Sequence, residues 1–378
     1  MKNKPNLMLL IILIMFPQFV ETIYSPALPG IAQAFQVSNQ QASLTLSFYF
    51  IAFAFGVIFW GILSDIIGRR SAMIWGLFFY SIGAIMALLT SDFNMILIAR
   101  VVAAFGASVG SIITQTILRD VYRKEDLSSV FSIIGIALSL SPIIGFITGG
   151  YMTESFGYQG VFMVVLLVAV LLLINAIKFL PETKAPIKQD RPKIGTVLRQ
   201  LLSDRVIWLS ALLVALFNIM LFSYYSLGPF IFEQSGHSAT QFGYSGILLA
   251  IGSLAGGVLN KKLIHLNFSA QRLIYLSSFI SVIGAFGVFM LQDSLWFLLP
   301  IIFVLIAFSI AIPNILSQAL IKYRDVAGTA GAIFGLLYYT LIGLGLIASG
   351  WIQDLGVVLI SSSLLTILLA YTYRKYLP

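Results

Sequence analysis

Residues 44–70 read LTLSFYFIAFAFGVIFWGILSDIIGRR. From Leu44 to Leu63 no side chain is charged, and the run is long enough for an α-helix to cross the roughly 30 Å of hydrocarbon in a bilayer. Backbone amides in lipid must be satisfied within the membrane, by a helix or by a closed barrel. Polar and apolar residues do not alternate here as they would in a barrel strand, so the run reads as a helix. It ends at Asp65 and at the paired Arg69 and Arg70, which marks the side on which it emerges as basic.

The rest of the chain repeats this pattern. Hydrophobic residues make up 59% of the sequence and charged ones 10%, against about 25% charged in a soluble domain. A water-soluble enzyme or a nucleic-acid binder is excluded on that ground. Apolar runs fall near 7–25, 42–63, 71–90, 95–117, 129–151, 160–180, 206–231, 242–260, 273–291, 295–319, 327–350 and 355–373. The expected fold class is therefore an all-α membrane protein of about twelve transmembrane helices. The first run lies behind Lys2 and Lys4 as in a signal peptide, yet Pro26 and Pro29 stand where small residues would be needed for cleavage. It reads as a retained first helix.

The net charge of +8 has a positional meaning. Every lysine and arginine except Arg100 falls at a terminus or in every second loop: Lys2 and Lys4; Arg69 and Arg70; Arg119, Arg123 and Lys124; the cluster from Lys178 to Arg205; Lys261, Lys262 and Arg272; Lys322 and Arg324; Arg374 and Lys375. The intervening loops carry none. The positive-inside rule then places both termini in the cytoplasm. The hydrophilic stretch 182–205 contains Pro186, Pro192 and much of the basic cluster, and divides the spans six and six. It reads as a cytoplasmic linker between a bundle in 1–181 and a bundle in 206–378. With no cysteine, and only His237 and His265 for histidines, no metal site and no cofactor are expected.

Between the second and third spans, Asp65 sits beside a helix C-terminus, where the macrodipole disfavours a carboxylate, so a cationic partner is expected for it. The segment Gly61-Ile62-Leu63-Ser64-Asp65-Ile66-Ile67-Gly68-Arg69-Arg70 resembles the signature of the major facilitator superfamily, with Ile66 where that family usually has a basic residue. The resemblance implies that Gly61, Asp65, Gly68, Arg69 and Arg70 form a charge relay that locks the cytoplasmic side while the outside is open. Gly135, Pro142, Gly145, Gly149 and Gly150 resemble the fifth-helix motif of the antiporter branch, with Phe146 in place of a second common proline. With Leu180-Pro181-Glu182-Thr183, Arg119-Asp120, Pro313-Asn314, Ala327-Gly328-Thr329-Ala330 and Thr22-Ile23-Tyr24, the full length is similar to the Bcr/CflA (EmrD-like) group of drug:proton antiporters.

Glu21 and Arg100 are the ionisable groups well inside the expected spans. An unpaired charge at mid-membrane costs about 2.5–3.5 kcal/mol on insertion scales, so both need a reason to be there. Helix one running outward and helix four inward place them in the same half of the membrane, where they can pair. The proton affinity of Glu21 would then change on separation or on entry of a cationic substrate. The resemblance supports Arg100 as the basic residue of the fourth-helix motif, although Ala103 and Ala104 replace that motif's Gln and Gly. Many members of the group carry an Asp at the position of Thr22, so the acid is displaced by one residue here. Glu21 is the expected proton and substrate-cation site and Arg100 its modulator; the alternative is a structural ion pair.

Gln18, Gln115, Asn218, Tyr224, Tyr225, Asn314, Gln318, Tyr338 and Tyr339 are candidates to line a central cavity, whose aromatic walls would suit amphipathic cations. For each of these, hydrogen bonding between helices is the competing role. Gly106-Ala107-Ser108-Val109-Gly110 matches G-x-S-x-G, but within a helix rather than at a strand-to-helix elbow, so an intramembrane serine hydrolase is the weakest reading. The sequence points instead to a monomeric, proton-coupled exporter of hydrophobic or cationic small molecules. Its rival within transport is an exporter dedicated to one metabolite such as a siderophore.

Overall fold

A computed structural model describes residues 5–122, 124–184, 194–373 and 375. Lys2, Lys4, Arg123, Lys188, Arg191, Lys193, Arg374, Pro186 and Pro192 lie outside the described residues. The described chain is helical: α1 (Leu7–Thr22), α2 (Leu28–Ala34), α3 (Asn39–Ile67), α4 (Arg69–Leu89), α5 (Phe93–Val121), α6 (Lys124–Phe179), α7 (Ile194–Ser203), α8 (Arg205–Gln234), α9 (Ala239–His265), α10 (Ala270–Leu291), α11 (Leu298–Ala319), α12 (Ala327–Ile352) and α13 (Leu355–Tyr373). Among the described residues, 11 helices are long and apolar enough to cross a membrane. One of them, Ile133–Phe179, is two traverses, because Gly157 adopts φ +66° and ψ −171°. α6 begins next to the basic end of α5, its Glu154 reaches Thr240 on the opposite side, and its Ile177 carbonyl is back beside Arg70. Twelve traverses result, as the hydropathy pattern indicates.

Two details depart from the sequence reading. The stretch 26–41, expected as a loop, continues α1 through a 3-10 turn at Ser25–Ala27 into α2. The stretch 182–205, expected as a linker, contains α7, whose Val197 and Leu201 are buried in the second half's core. α7 therefore packs with the second half rather than spacing the two apart. The first core runs from Leu9 to Leu180 with Phe230 added, and the second from Val197 to Tyr373 with Phe146 added.

Local chemistry sets the helix starts and exposes a repeat the sequence shows only faintly. Ser38 and Ser238 each accept the backbone N–H three residues on, and Gln41 and Gln241 return a side-chain oxygen to the cap N–H, closing a capping box at α3 and at α9. Positions 200 apart also meet across the molecule: Ser25 Oγ donates to the Tyr225 carbonyl, and Gln33 Nε2 donates to Glu233. Equivalent positions of a repeat with a 200-residue offset thus meet one another.

Lipid supplies no hydrophobic drive between helices, so close van der Waals contact and small residues must hold them. A Cβ on Gly252 would come within 2.8 Å of Leu305 Cβ, and one on Gly256 within 2.8 Å of the Ile306 carbonyl. A Cβ on Gly106 would strike the Gly76 carbonyl at 2.5 Å, with the Tyr80 N–H closer still. Gly106→Val should therefore force α4 and α5 apart and lower stability by about 1–3 kcal/mol. The expected result in thermal melts of the detergent-solubilised protein is a clear drop in melting temperature with the helical circular dichroism retained below it.

Candidate functional site

The halves close on each other at the base-free side, where Gly150 of α6 lies against Ala239 and Thr240 of α9, while the adjacent Gly149 packs on the Ile23 carbonyl within the first half. Away from this seam they enclose a cavity of about 680 Å³. Its lining comes from the middle of the membrane and from the halves of the helices nearer the basic loops: Gln18 and Glu21 of α1, Ser111 and Gln115 of α5, Gly135 and Pro142 of α6, Asn218 of α8, Ser253 and Gly257 of α9, and Ser309 and Pro313 of α11. The cavity therefore reaches from mid-membrane toward the basic side.

Aromatic rings close its inner end. Phe50 stacks on Phe222 with centroids 4.3 Å apart, Phe53 meets Tyr339 at 5.1 Å, and Phe146 meets Tyr225 at 4.9 Å, each pair joining one half to the other. Tyr49, Phe50, Phe53, Phe222, Tyr225, Phe308, Tyr338 and Tyr339 all line the cavity. Among its described lining residues Glu21 is the one carboxylate, and none is lysine, arginine or histidine.

Glu21 and Arg100 lie close to the inner end but do not pair: no nitrogen of Arg100 is within 4.0 Å of the carboxylate, and Glu21 Oε1 has no hydrogen-bond partner. Arg100, 2% exposed, is instead held between two tyrosines, its guanidinium carbon 3.9 Å from the Tyr24 ring centroid and 4.3 Å from that of Tyr49. Desolvated cation–π contacts of this kind are worth about 2 kcal/mol. Ring faces thus take the place that the sequence reading gave to the carboxylate. Arg100 Nε and Nη2 are also left without partners, so the cluster holds donors and an acceptor not joined in this conformation.

Six of the nine cavity candidates line it: Gln18, Gln115, Asn218, Tyr225, Tyr338 and Tyr339. The other three do not. Tyr224 is buried with its hydroxyl on Ser245 Oγ, Asn314 Nδ2 donates to Asn260 Oδ1 at 2.8 Å and to the Ile310 carbonyl, and Gln318 is half-buried and donates to Ser317 Oγ at 3.4 Å. Their polar groups join neighbouring helices or face outward. Ser108 is wholly buried and donates to the Phe105 carbonyl at 2.8 Å, while His237 bonds Gln241 at the base-free end, so no base reaches that serine. Composition hid the clamp, since Tyr24 and Tyr49 look like ordinary aromatic residues. The spacing of Tyr24, three residues after the intramembrane acid, was the available signal.

At the basic surface Asp65 has the cationic partner expected for it, Arg69. Arg69 Nε also donates to Asp120 Oδ2 at 3.2 Å, Asp120 accepts from Thr183, and Arg70 Nη2 donates to the Ile177 carbonyl at 2.6 Å. Glu182 accepts from the backbone N–H groups of Arg69 and Arg70 at 2.9 and 3.2 Å, capping α4 from a distant part of the chain. Gly68 adopts φ +96°, and a Cβ there would strike the Glu182 carboxylate, so glycine is required twice over. The relay binds α3, α4, α5 and the end of α6 to one another within the first half, on the side where the cavity opens. Gly61 faces Ile112 at ordinary contact distance, and Gly145 packs on Thr22.

Comparison with known proteins agrees with this architecture. The family model described as Major Facilitator Superfamily matches residues 10–369. A protein of Rickettsia bellii described as an uncharacterized transporter is 34% identical over 353 residues, covering 89% of this chain and 87% of that one. Multidrug resistance protein D of Escherichia coli is 25% identical, covering 92% and 88%. The crystal structure of a D-xylose-proton symporter superposes with a TM-score of 0.79 at 15% identity, covering 98% and 97%.

Partial burial pushes the Glu182 carboxyl up, but the backbone N–H groups of Lys184, Arg69, Arg70 and Thr183 outweigh it and hold the group below the usual carboxylate value. A depressed value contributes stability above the unfolded-state value and loses it as pH falls through the folded one. Glu182→Gln should therefore lower the melting temperature at pH 7. The gap from the parent should narrow as pH falls below about 4; a gap unchanged by pH contradicts the capping role.

Proposed function

The chain belongs to the Major Facilitator Superfamily and is a multi-pass membrane transporter, and on that premise we propose that it exports hydrophobic, cationic small molecules in exchange for protons. Its multidrug-resistance relative supports the Bcr/CflA group. The basic loops and termini face the cytoplasm of a bacterial inner membrane, 1–181 and 206–378 act as the two rocking units, and the chain works as a monomer. One observation carries the reading: the cavity is walled by aromatic rings, and Glu21 is the single carboxylate among its described lining residues, with no fixed cation there.

A lipophilic cation is attracted by that carboxylate and by the negative faces of the rings. The same carboxylate takes a proton. The two occupants therefore compete for one group, and that competition couples their movements. With the cavity open to the cytoplasm, an entering cation displaces the proton. After the halves rock to open the other side, a proton from outside displaces the cation. Arg100, fixed between Tyr24 and Tyr49, is a standing positive charge that lowers the cost of a charged Glu21 between occupants. Asp65, Arg69 and Arg70 hold the basic ends of the first half together and lock that side when it closes.

Each unit of pH difference across the membrane supplies about 1.4 kcal/mol, a tenfold concentration ratio. The membrane potential adds about 2.3 kcal/mol per 100 mV for each net charge moved, and one proton exchanged for one monovalent cation moves none, so the pH difference drives the exchange. A dedicated exporter of an anionic metabolite would want cationic groups in the cavity, and the described lining offers none.

Glu21→Gln should abolish the exchange. In acid-loaded everted vesicles, adding a lipophilic cation should drive protons out through the parent protein, and the variant at equal expression should show no such response. Unchanged exchange by the variant would refute the role of Glu21.

A further inference from the structure

On α6, Phe146, Gly150 and Glu154 stand four residues apart and form one stripe against the start of α9. The Phe146 carbonyl would be 2.6 Å from a Cβ on Gly243, and Gly150 leaves room for Ala239 and Thr240. Beyond them the Glu154 carboxylate accepts from the Thr240 backbone N–H at 3.3 Å, beside the hydroxyls of Ser238 and Thr240. Thr240 lies in the first turn of α9, whose amides have no acceptor within the helix and whose dipole favours a negative charge. Glu154 belongs to the first half and α9 to the second, so this contact joins the two units on the base-free side.

The equivalent seam, 200 residues on, lacks the device. A Cβ on Gly350 of α12 would lie 3.5 Å from Ser43 Cβ and 3.8 Å from the Gln40 carbonyl of α3, an ordinary contact, whereas one on Gly150 would come within 2.5 Å of the Ala239 carbonyl of α9. Asp354, the counterpart of Glu154, is turned the other way: it accepts from the Val357 N–H of its own helix and from Gln292 Nε2 of α10. Among the described residues, the α6–α9 seam thus joins packing to a charged hydrogen bond, whereas Asp354 supplies none to the α12–α3 seam.

We propose that Glu154 is a latch for the outer side of the transporter, a positioning residue that holds α6 on the N-terminus of α9 while the cavity faces the basic side and must release it before the outer side opens. The inference rests on the alternating-access part of the functional reading and is independent of what is carried. Gly150 and Phe146 give the approach its shape, and Glu154 gives the closed state its electrostatic preference.

The absence of cysteine makes the test direct. Ser91→Cys and Asp293→Cys place spin labels on exposed loops of the two halves at the base-free side, and pulsed electron resonance reads the distance between them in purified protein without substrate or proton gradient. Glu154→Ala removes the acceptor. Thr240→Pro removes the donor N–H in the first turn of α9, where that N–H has no acceptor within the helix, so the test survives if either variant fails to fold. Both should raise the share of a longer-distance population about fivefold, with an intermediate rise for Glu154→Gln, which keeps an acceptor oxygen and loses the charge. Asp354→Asn should leave the distances as in the parent. Distributions of the folded Glu154→Ala or Thr240→Pro variant that superimpose on the parent's overturn the latch, as does an equal shift in Asp354→Asn. Because no substrate is present, either result leaves the role of Glu21 to be decided separately.

Discussion

The cavity depends on how two helical halves hold each other in a solvent that gives them little reason to associate. Lipid tails are as apolar as leucine, so helix contact must come from packing at short range and from hydrogen bonds that lipid cannot replace. Here both are concentrated at the base-free side. Gly150 brings α6 onto α9, Gly343 and Gly350 bring α12 onto α3, and Ser25, Gln33 and Glu154 add hydrogen bonds between halves. Of the glycines in the fifth-helix motif, Gly145, Gly149 and Gly150 sit where a Cβ would clash with a neighbour, whereas a Cβ on Gly135 would meet nothing within 4 Å. The 200-residue offset between partners means that equivalent surfaces of two repeats meet, a contact that the proposed rocking would exchange for its counterpart on the other side.

The electrostatics follow from that geometry. A charged group inside the membrane is costly unless something answers it. Arg100 is answered by the faces of Tyr24 and Tyr49, which leaves the Glu21 carboxylate at the cavity wall with an oxygen that has no partner. A tight Glu21–Arg100 ion pair would satisfy both groups and give a cation little to bind. Holding the arginine nearby but on aromatic faces leaves the carboxylate unpaired, in a chamber lined by aliphatic side chains and aromatic rings with a few uncharged polar groups.

Much of this was legible in the sequence, for physical reasons. A hydrocarbon core demands apolar runs of fixed length, so the traverses and the alternation of basic loops followed directly. Glu21 stood out because membranes make ionisable residues rare, and Asp65 because a carboxylate at a helix C-terminus needs a cation. What the sequence did not show was which polar residues face inward: Gln115 and Asn218 line the cavity while Asn314 and Tyr224 bond neighbouring helices, and both environments favour the same residue types. Nor did hydropathy reveal α7, a short amphipathic helix inside a charged stretch. The tyrosine clamp and the contact of Glu182 with Arg69 join segments far apart in the chain. The internal repeat was faint because it survives in capping boxes and glycine positions rather than in matching side chains.

The central claim is that one carboxylate serves proton and cation in turn. It is tested most directly by adding lipophilic cations to the detergent-purified protein in a weakly buffered solution and following pH. The account predicts that a cation which binds the parent protein releases protons into solution, and that Glu21→Gln, folded and monodisperse, releases none. Proton release that persists undiminished in the glutamine variant, or tight cation binding to the parent with no release at any pH, would contradict it.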